Sequence, residues 1–135
     1  MKTAVIRRSH FNAAHQLWNK QWDKAKNKEI FGLCANENYH GHNYIVEIKV
    51  TGEVDPDTGY VLDLKILNQL IHEEVYKPYD HKNLNLDTED FKDLNPTVEN
   101  IARVIYEKIR KRLATDLELQ VKIWETDNNM AIYPA

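Results

Sequence analysis

His15, Cys34 and the run His40-Gly41-His42 are the residues of this chain whose types and spacing could do metal chemistry. In an extended segment side chains alternate faces, so His40 and His42 project the same way with only Gly41 between them and can share one ion. His15, arriving from elsewhere in the chain, makes a third nitrogen ligand. Three protein ligands and an open position describe catalytic zinc, whereas structural zinc fills all four positions with protein groups, and a single cysteine is too few for the sulfur-rich structural kinds. An H-x-H pair also recurs by chance on strands. Two further groups add weight: Asp80-His81 follows a break at Pro78-Tyr79, and Glu125-Thr126-Asp127-Asn128-Asn129 ends a run that reads as a strand. Both put ionisable groups at the ends of regular elements, where loops on a rigid scaffold carry function. Cys34, unable to form an internal disulfide, is either a small buried hydrophobe or a reactive thiol, and its place six residues before His40 favours the thiol.

The elements that must hold these residues follow from periodicity. Residues 3–15 read as a first strand, with Val5, Arg7, Ser9, Phe11, Ala13 and His15 on one parity. Residues 18–30, lysine-rich with Trp18 and Trp22, read as a partly helical insertion or lid that is best taken as a solvated loop. Over 42–51, Tyr44, Val46, Ile48 and Val50 alternate with Glu47, Lys49 and Thr51 as a strand. The turn Asp55-Pro56-Asp57-Thr58-Gly59 then lets Tyr60-Val61-Leu62 return as a hairpin partner. Asp63 is the N-cap of a first helix that carries Leu64, Leu67, Leu70, Ile71 and Val75 up to Lys77-Pro78. A polar, irregular stretch covers 83–94. Asn95-Pro96 opens a second helix bearing Ile101, Ile105, Ile109 and Leu113. Leu117, Leu119, Val121 and Ile123 then alternate through another strand, and Met130 to Tyr133 form a short last one. Helices grouped rather than alternating with strands predict an α+β fold, an antiparallel sheet with two helices packed on one face. The uncovered face and edges call for burial by association, as a homo-oligomer of sheets joined edge to edge.

Size and charge narrow the class. At 135 residues and 42% hydrophobic the chain fits one domain, 1–135. A net charge of −3, with basic and acidic residues mixed, gives no footprint for nucleic acid. No apolar stretch approaches the ~20 residues of a membrane span, and Met1 to Arg8 lacks the apolar core of a secretory signal, so a soluble, cytoplasmic protein is expected. His10 and His72 read as ordinary residues, since position 76 is Tyr and no H-E-x-x-H motif exists. Lys20, Lys24, Lys26 and Lys28 could meet a polyanion if the insertion folds over the site, but a solvated charged loop is the simpler reading.

Five segments, in order along nearly the whole chain, resemble the signatures of the 6-pyruvoyl-tetrahydropterin synthase family: Phe11-Asn12-Ala13-Ala14-His15, Cys34 through His40-Gly41-His42-Asn43-Tyr44, Asp80-His81-Lys82-Asn83-Leu84-Asn85, Pro96-Thr97-Val98-Glu99-Asn100, and Glu125 through Asn129. The resemblance implies the tunnelling fold, in which three subunits close a β-barrel and two trimers stack into a homohexamer with active sites at subunit interfaces. It implies Zn2+ held by His15, His40 and His42, Cys34 as general base, and Asp80 and His81 tuning or relaying its proton. Glu125 would anchor the pterin, with Thr97 and Glu99 lining the same pocket. The implied substrate is 7,8-dihydroneopterin triphosphate and the implied activity a carbon–oxygen lyase giving 6-pyruvoyl-tetrahydropterin. The alternative in the same family is 6-carboxy-5,6,7,8-tetrahydropterin synthase of queuosine biosynthesis, a carbon–carbon lyase on the same substrate. The five-residue gap between Cys34 and His40 resembles the pyruvoyl branch. A non-catalytic zinc- or pterin-binding module would show loss of the base, and Cys34, Asp80 and His81 are all present. Packed-thiol, loop ion-pair and solvated-charge readings of Cys34, Asp80-His81 and Glu125 are the plain alternatives to these roles.

Overall fold

The computed structural model describes residues 1–135. Two long strands dominate it: β1 (Lys2–His15) and β2 (His40–Glu53) pair antiparallel along their whole length, from Lys2 opposite Glu53 to His15 opposite His40. β2 also pairs antiparallel with β4 (Glu118–Thr126), and β4 with β5 (Asn129–Tyr133). The two-residue β3 (Lys82–Asn83) lies on the other edge of β1 and runs parallel to it, through Ala13–Lys82 and Ala14–Asn83, so the sheet order is β3-β1-β2-β4-β5. Alternation decides the faces. Phe11 and Ala13, Tyr44 to Val50 at every second residue, and Leu119, Val121 and Ile123 are buried on the inner face.

Helices cover that face. α1 (Lys24–Phe31) belongs to the insertion, α2 (Leu64–Ile71) and α5 (Val98–Arg110) supply apolar stripes, and α4 (Leu84–Asp87) is a single turn. Ile101, Ile105 and Ile109 of α5 are fully buried, each contributing roughly 1.5–3 kcal/mol. Asp63 caps α2 by accepting from the Lys65 N–H at 2.9 Å, as expected. Across the sheet, the outer face leaves Ile6, Met130 and Ile132 exposed, with Arg8 lying 5.6 Å over the Trp124 ring.

Three sequence expectations are corrected. Tyr60-Val61-Leu62 is not a strand: β2 already has β1 on one side and β4 on the other, so no edge is left for a hairpin partner. The segment instead closes a loop, with the Asp55 N–H donating to the Tyr60 carbonyl at 2.8 Å and Gly59 at φ +76°, a left-handed value that favours glycine. The 18–30 insertion is not a solvated loop. Asp23 caps α1 through the Lys26 N–H, and buried Asn27 donates to the carbonyls of Asn19, Trp22 and Asp23 while accepting the Asn19 N–H. The first helix also does not stop at Lys77-Pro78: it widens into a π-turn at His72–Tyr76 and continues as α3 (Lys77–Tyr79). The wider turn relieves the clash that Pro78 would cause in a regular α-helix.

Candidate metal centre and adjoining groups

β1 ends and β2 begins at the same end of the sheet, and this pairing brings the histidines together. His15 lies opposite His40, with His42 two residues further along the same face. One ring nitrogen from each lies within 4.8 Å of the others, and Nε2 of His15 is 3.0 Å from Nε2 of His40. Nitrogens that share one tetrahedral ion at ~2.0–2.1 Å are separated by about 3.3 Å, so the three imidazoles fit a metal ion. His15 is buried, and Nδ1 of its ring lies 2.8 Å from the Pro96 carbonyl oxygen. A carbonyl only accepts, so Nδ1 carries the proton and Nε2 turns its lone pair toward His40. Nδ1 of His40 is buried with no hydrogen-bond partner.

Electrostatics favour the same use. Burial lowers the His15 pKa to about 4, with the neighbouring rings of His40 and His42 adding to the effect against the opposing Pro96 hydrogen bond. Burial also lowers those of His40 and His42. Neutral imidazole is the form that ligates metal.

Residues just past His15 gather the rest of the site. The Leu17 N–H donates to the Cys34 carbonyl at 2.8 Å, and the Gln16 amide reaches the Asn36 carbonyl at 2.9 Å, which holds the Cys34 turn against the end of β1. Cys34 is partly exposed. Asn85 clamps the Gln16 backbone from both sides, accepting its N–H at 2.8 Å and donating to its carbonyl at 2.9 Å, while Asn95 accepts the Trp18 N–H at 3.1 Å. Tyr44, on the same parity as His40 and His42, forms the floor. Burial drives its phenol pKa far up, with the nearby charges of Glu125 and then Cys34 acting in the same direction. Glu125 occupies a bulge, where the β4–β5 register shifts between Trp124 and Thr126, and bulges re-aim side chains beside active sites. Burial first, and then Glu99, raise its carboxyl pKa.

Asp80 and His81 form a second cluster on the far edge of β1. Asp80 accepts the Asn12 N–H at 2.9 Å and holds His81 Nδ1 at 2.6 Å, while the His81 N–H donates to the Asn12 carbonyl at 2.6 Å. The Asn12 N–H, followed by His81 and Tyr76, keeps the Asp80 carboxyl below its ordinary range. His81 stands at φ 59°, a left-handed value uncommon outside glycine, with its side chain 82% exposed. Neither residue hydrogen-bonds to Cys34 or to the three imidazoles. Thr97 is the N-cap of α5, accepting the Asn100 N–H at 3.2 Å, and Glu99 lies in its exposed first turn. Sequence reasoning gave no role to Asn12, Tyr44 or Pro96. All three lie within the signature segments, and Tyr44 also shares its strand parity with His40 and His42.

Three histidines with an open position, at one end of an α+β sheet, are a group that could hold a metal ion of the catalytic kind. Residues 4–135 match the family model described as 6-pyruvoyl tetrahydropterin synthase, and the chain belongs to that family. It is 43% identical to the human 6-pyruvoyl tetrahydrobiopterin synthase over 129 residues, covering 96% of this chain and 89% of the human one. The Caenorhabditis elegans 6-pyruvoyl tetrahydropterin synthase structure superposes with a TM-score of 0.93 at 38% identity, covering 98% of this chain and 95% of that one. A Bacillus subtilis 6-carboxy-5,6,7,8-tetrahydropterin synthase is 33% identical, covering 92% of this chain and 80% of its own. The α+β fold of the single chain is therefore that of a tunnelling-fold subunit, as expected from the sequence.

Proposed function

We propose that the protein is a zinc-dependent lyase that converts 7,8-dihydroneopterin triphosphate to 6-pyruvoyl-tetrahydropterin with release of triphosphate. The observation that carries this reading is the convergence of three imidazole nitrogens within 4.8 Å of one another, in a chain more similar to the human pyruvoyl enzyme than to the bacterial carboxy enzyme. Zinc, when bound, acts as a Lewis acid for the side-chain hydroxyls of the substrate and lowers the cost of removing the adjacent protons. Cys34 as thiolate takes a carbon-bound proton. Glu125, ionised, accepts two parallel N–H bonds from the aminopyrimidine edge and fixes the ring. Its place at the β4–β5 bulge and its charge effect on Tyr44 support this role. Thr97 and Glu99 are proposed to line the same pocket, Thr97 directly following Pro96, whose carbonyl oxygen lies 2.8 Å from Nδ1 of His15.

Asp80 orients His81 as a base is oriented by its carboxylate, leaving Nε2 of His81 free to relay a proton. This pair serves a site completed by a neighbouring subunit, in a homohexamer built from two trimers whose sheets close a barrel. Apolar side chains support that assembly: Leu33, beside Cys34, is 82% exposed, and Leu86, in the turn after His81, is 68% exposed. No helix is long and apolar enough to cross a membrane.

Incubating zinc-loaded protein with 7,8-dihydroneopterin triphosphate should yield 6-pyruvoyl-tetrahydropterin and triphosphate, identified by mass. Release of acetaldehyde with a 6-carboxy pterin would assign the chain to the carboxy branch. Binding of the pterin without turnover would make it a non-catalytic module.

A further inference from the structure

Tyr44 is fully buried beneath the metal centre, and its ring touches two of the three ligands. It stacks on Phe11 at 4.8 Å, meets the His42 ring edge-on at 5.5 Å and stands perpendicular to the His15 ring at 6.0 Å. The Tyr44 hydroxyl lies 3.2 Å from Nδ1 of His15, the same nitrogen that is 2.8 Å from the Pro96 carbonyl oxygen. Because that carbonyl can only accept, the Nδ1 proton lies between two oxygens, and the phenol receives the weaker share of it. His40 has no such support, since its Nδ1 has no partner. His15 is thus a ligand whose ring is fixed by the protein alone, and it is fixed by one backbone oxygen and one side chain.

We propose that Tyr44 is a positioning residue for the metal ligand His15, its hydroxyl acting with the Pro96 carbonyl to hold the imidazole in the Nδ1–H tautomer with Nε2 facing the metal. The inference rests on the three histidines binding a metal, as read above. An outer partner on a ligating imidazole fixes tautomer and ring angle, and its loss typically lowers metal affinity 10–100-fold. A tyrosine that served only as core filling would be replaced by phenylalanine with no effect on the metal, because the ring and its stacking on Phe11 would remain.

The test is a Zn2+ titration of the metal-free full chain against a chelator of known affinity, for wild type and Tyr44→Phe, with His42→Ala as the reference for a lost ligand. The expected result is a zinc Kd raised about 10-fold in Tyr44→Phe. Wild type that binds zinc while Tyr44→Phe binds it equally well would overturn the inference and leave the metal reading intact. Wild type with no zinc affinity would remove both. If Tyr44→Phe fails to fold, NMR of metal-free wild type decides the matter: a slowly exchanging His15 Nδ1–H proton with an NOE to the Tyr44 hydroxyl proton is expected, and protonation at Nε2, or a Nδ1–H with no contact to that hydroxyl, would overturn the proposal.

Discussion

Cys34 is tied into the site by its backbone, through the Leu17 N–H, so its side chain is available for chemistry and can be removed without dismantling the metal centre. Cys34→Ala should lower turnover by ~10²-fold or more while leaving zinc affinity within about twofold, the pattern for loss of a positioned proton-transfer group. Full activity in the alanine variant, measured under single-turnover conditions, would move the base to another group such as His81. Glu125 gives a pH signature. Burial and Glu99 hold its carboxyl pKa above the ordinary range, so folding disfavours its ionised form. Below about pH 4 the unfolded glutamate is protonated too and the penalty vanishes; it grows as pH rises and is complete above the raised folded value. Glu125→Gln should therefore raise the melting temperature of the metal-free protein at pH 7.5 and give no gain at pH 4, as followed by circular dichroism, while weakening pterin binding. The three-histidine group was legible in the sequence because His40 and His42 alternate onto one face of a strand, while Cys34 was singled out as the only thiol and Glu125 by its place at a strand end. Pro96 was not, because it acts on His15 through a carbonyl that every residue has.

At the scale of elements, strands were read best where one face is buried and the alternation is strict, as in β2 from Tyr44 to Val50 and in β4. The missed hairpin at Tyr60–Leu62 was a failure of topology: apolar residues that pack against the core are the same in sequence whether they pair as a strand or not, and only β4, some sixty residues on, takes the edge they would have needed. The insertion was misjudged for a different reason. Its lysines suggested a solvated loop, but Asn27 organises the segment from inside by bonding three carbonyls and one N–H, and Lys24 and Lys26 are engaged by Glu37 and by the Trp22 ring. Asn27→Ala would leave those backbone groups short of partners in a buried place, at about 2 kcal/mol or more. The expected result is lower stability in urea together with faster proteolysis between residues 19 and 31. Protease resistance equal to wild type would show that α1 is held by its cap and the Trp22–Phe31 stack alone.

On the scale of the whole molecule, the two halves of the chemistry lie on different parts of the sheet. Cys34 and the imidazoles occupy the helix-covered face at the junction of β1 and β2, whereas Asp80 and His81 hang on the opposite edge of β1 and are bonded to Asn12. His81 points into solvent in a backbone conformation that is costly for a residue with a side chain, and such strain persists where surrounding structure holds it. Here the Asn12 N–H and carbonyl supply that hold from both sides. One chain thus offers three imidazoles that could hold a metal ion in one place and an Asp80-oriented His81 in another, with exposed Leu33 next to Cys34 in sequence and exposed Leu86 a few residues after His81. In the proposed assembly, Asp80 and His81 of one chain meet the Cys34 thiol of the next. Activity should therefore require the oligomer and fall on dilution below its dissociation constant. A mixture of inactive Cys34→Ala and inactive His81→Ala chains, dissociated and reassembled together, should recover part of the wild-type rate, because some interfaces would join an intact thiol to an intact histidine. Each variant reassembled alone should stay inactive. Mixed assemblies with no activity, or dissociated monomers with full turnover, would show that a single chain supplies the whole site.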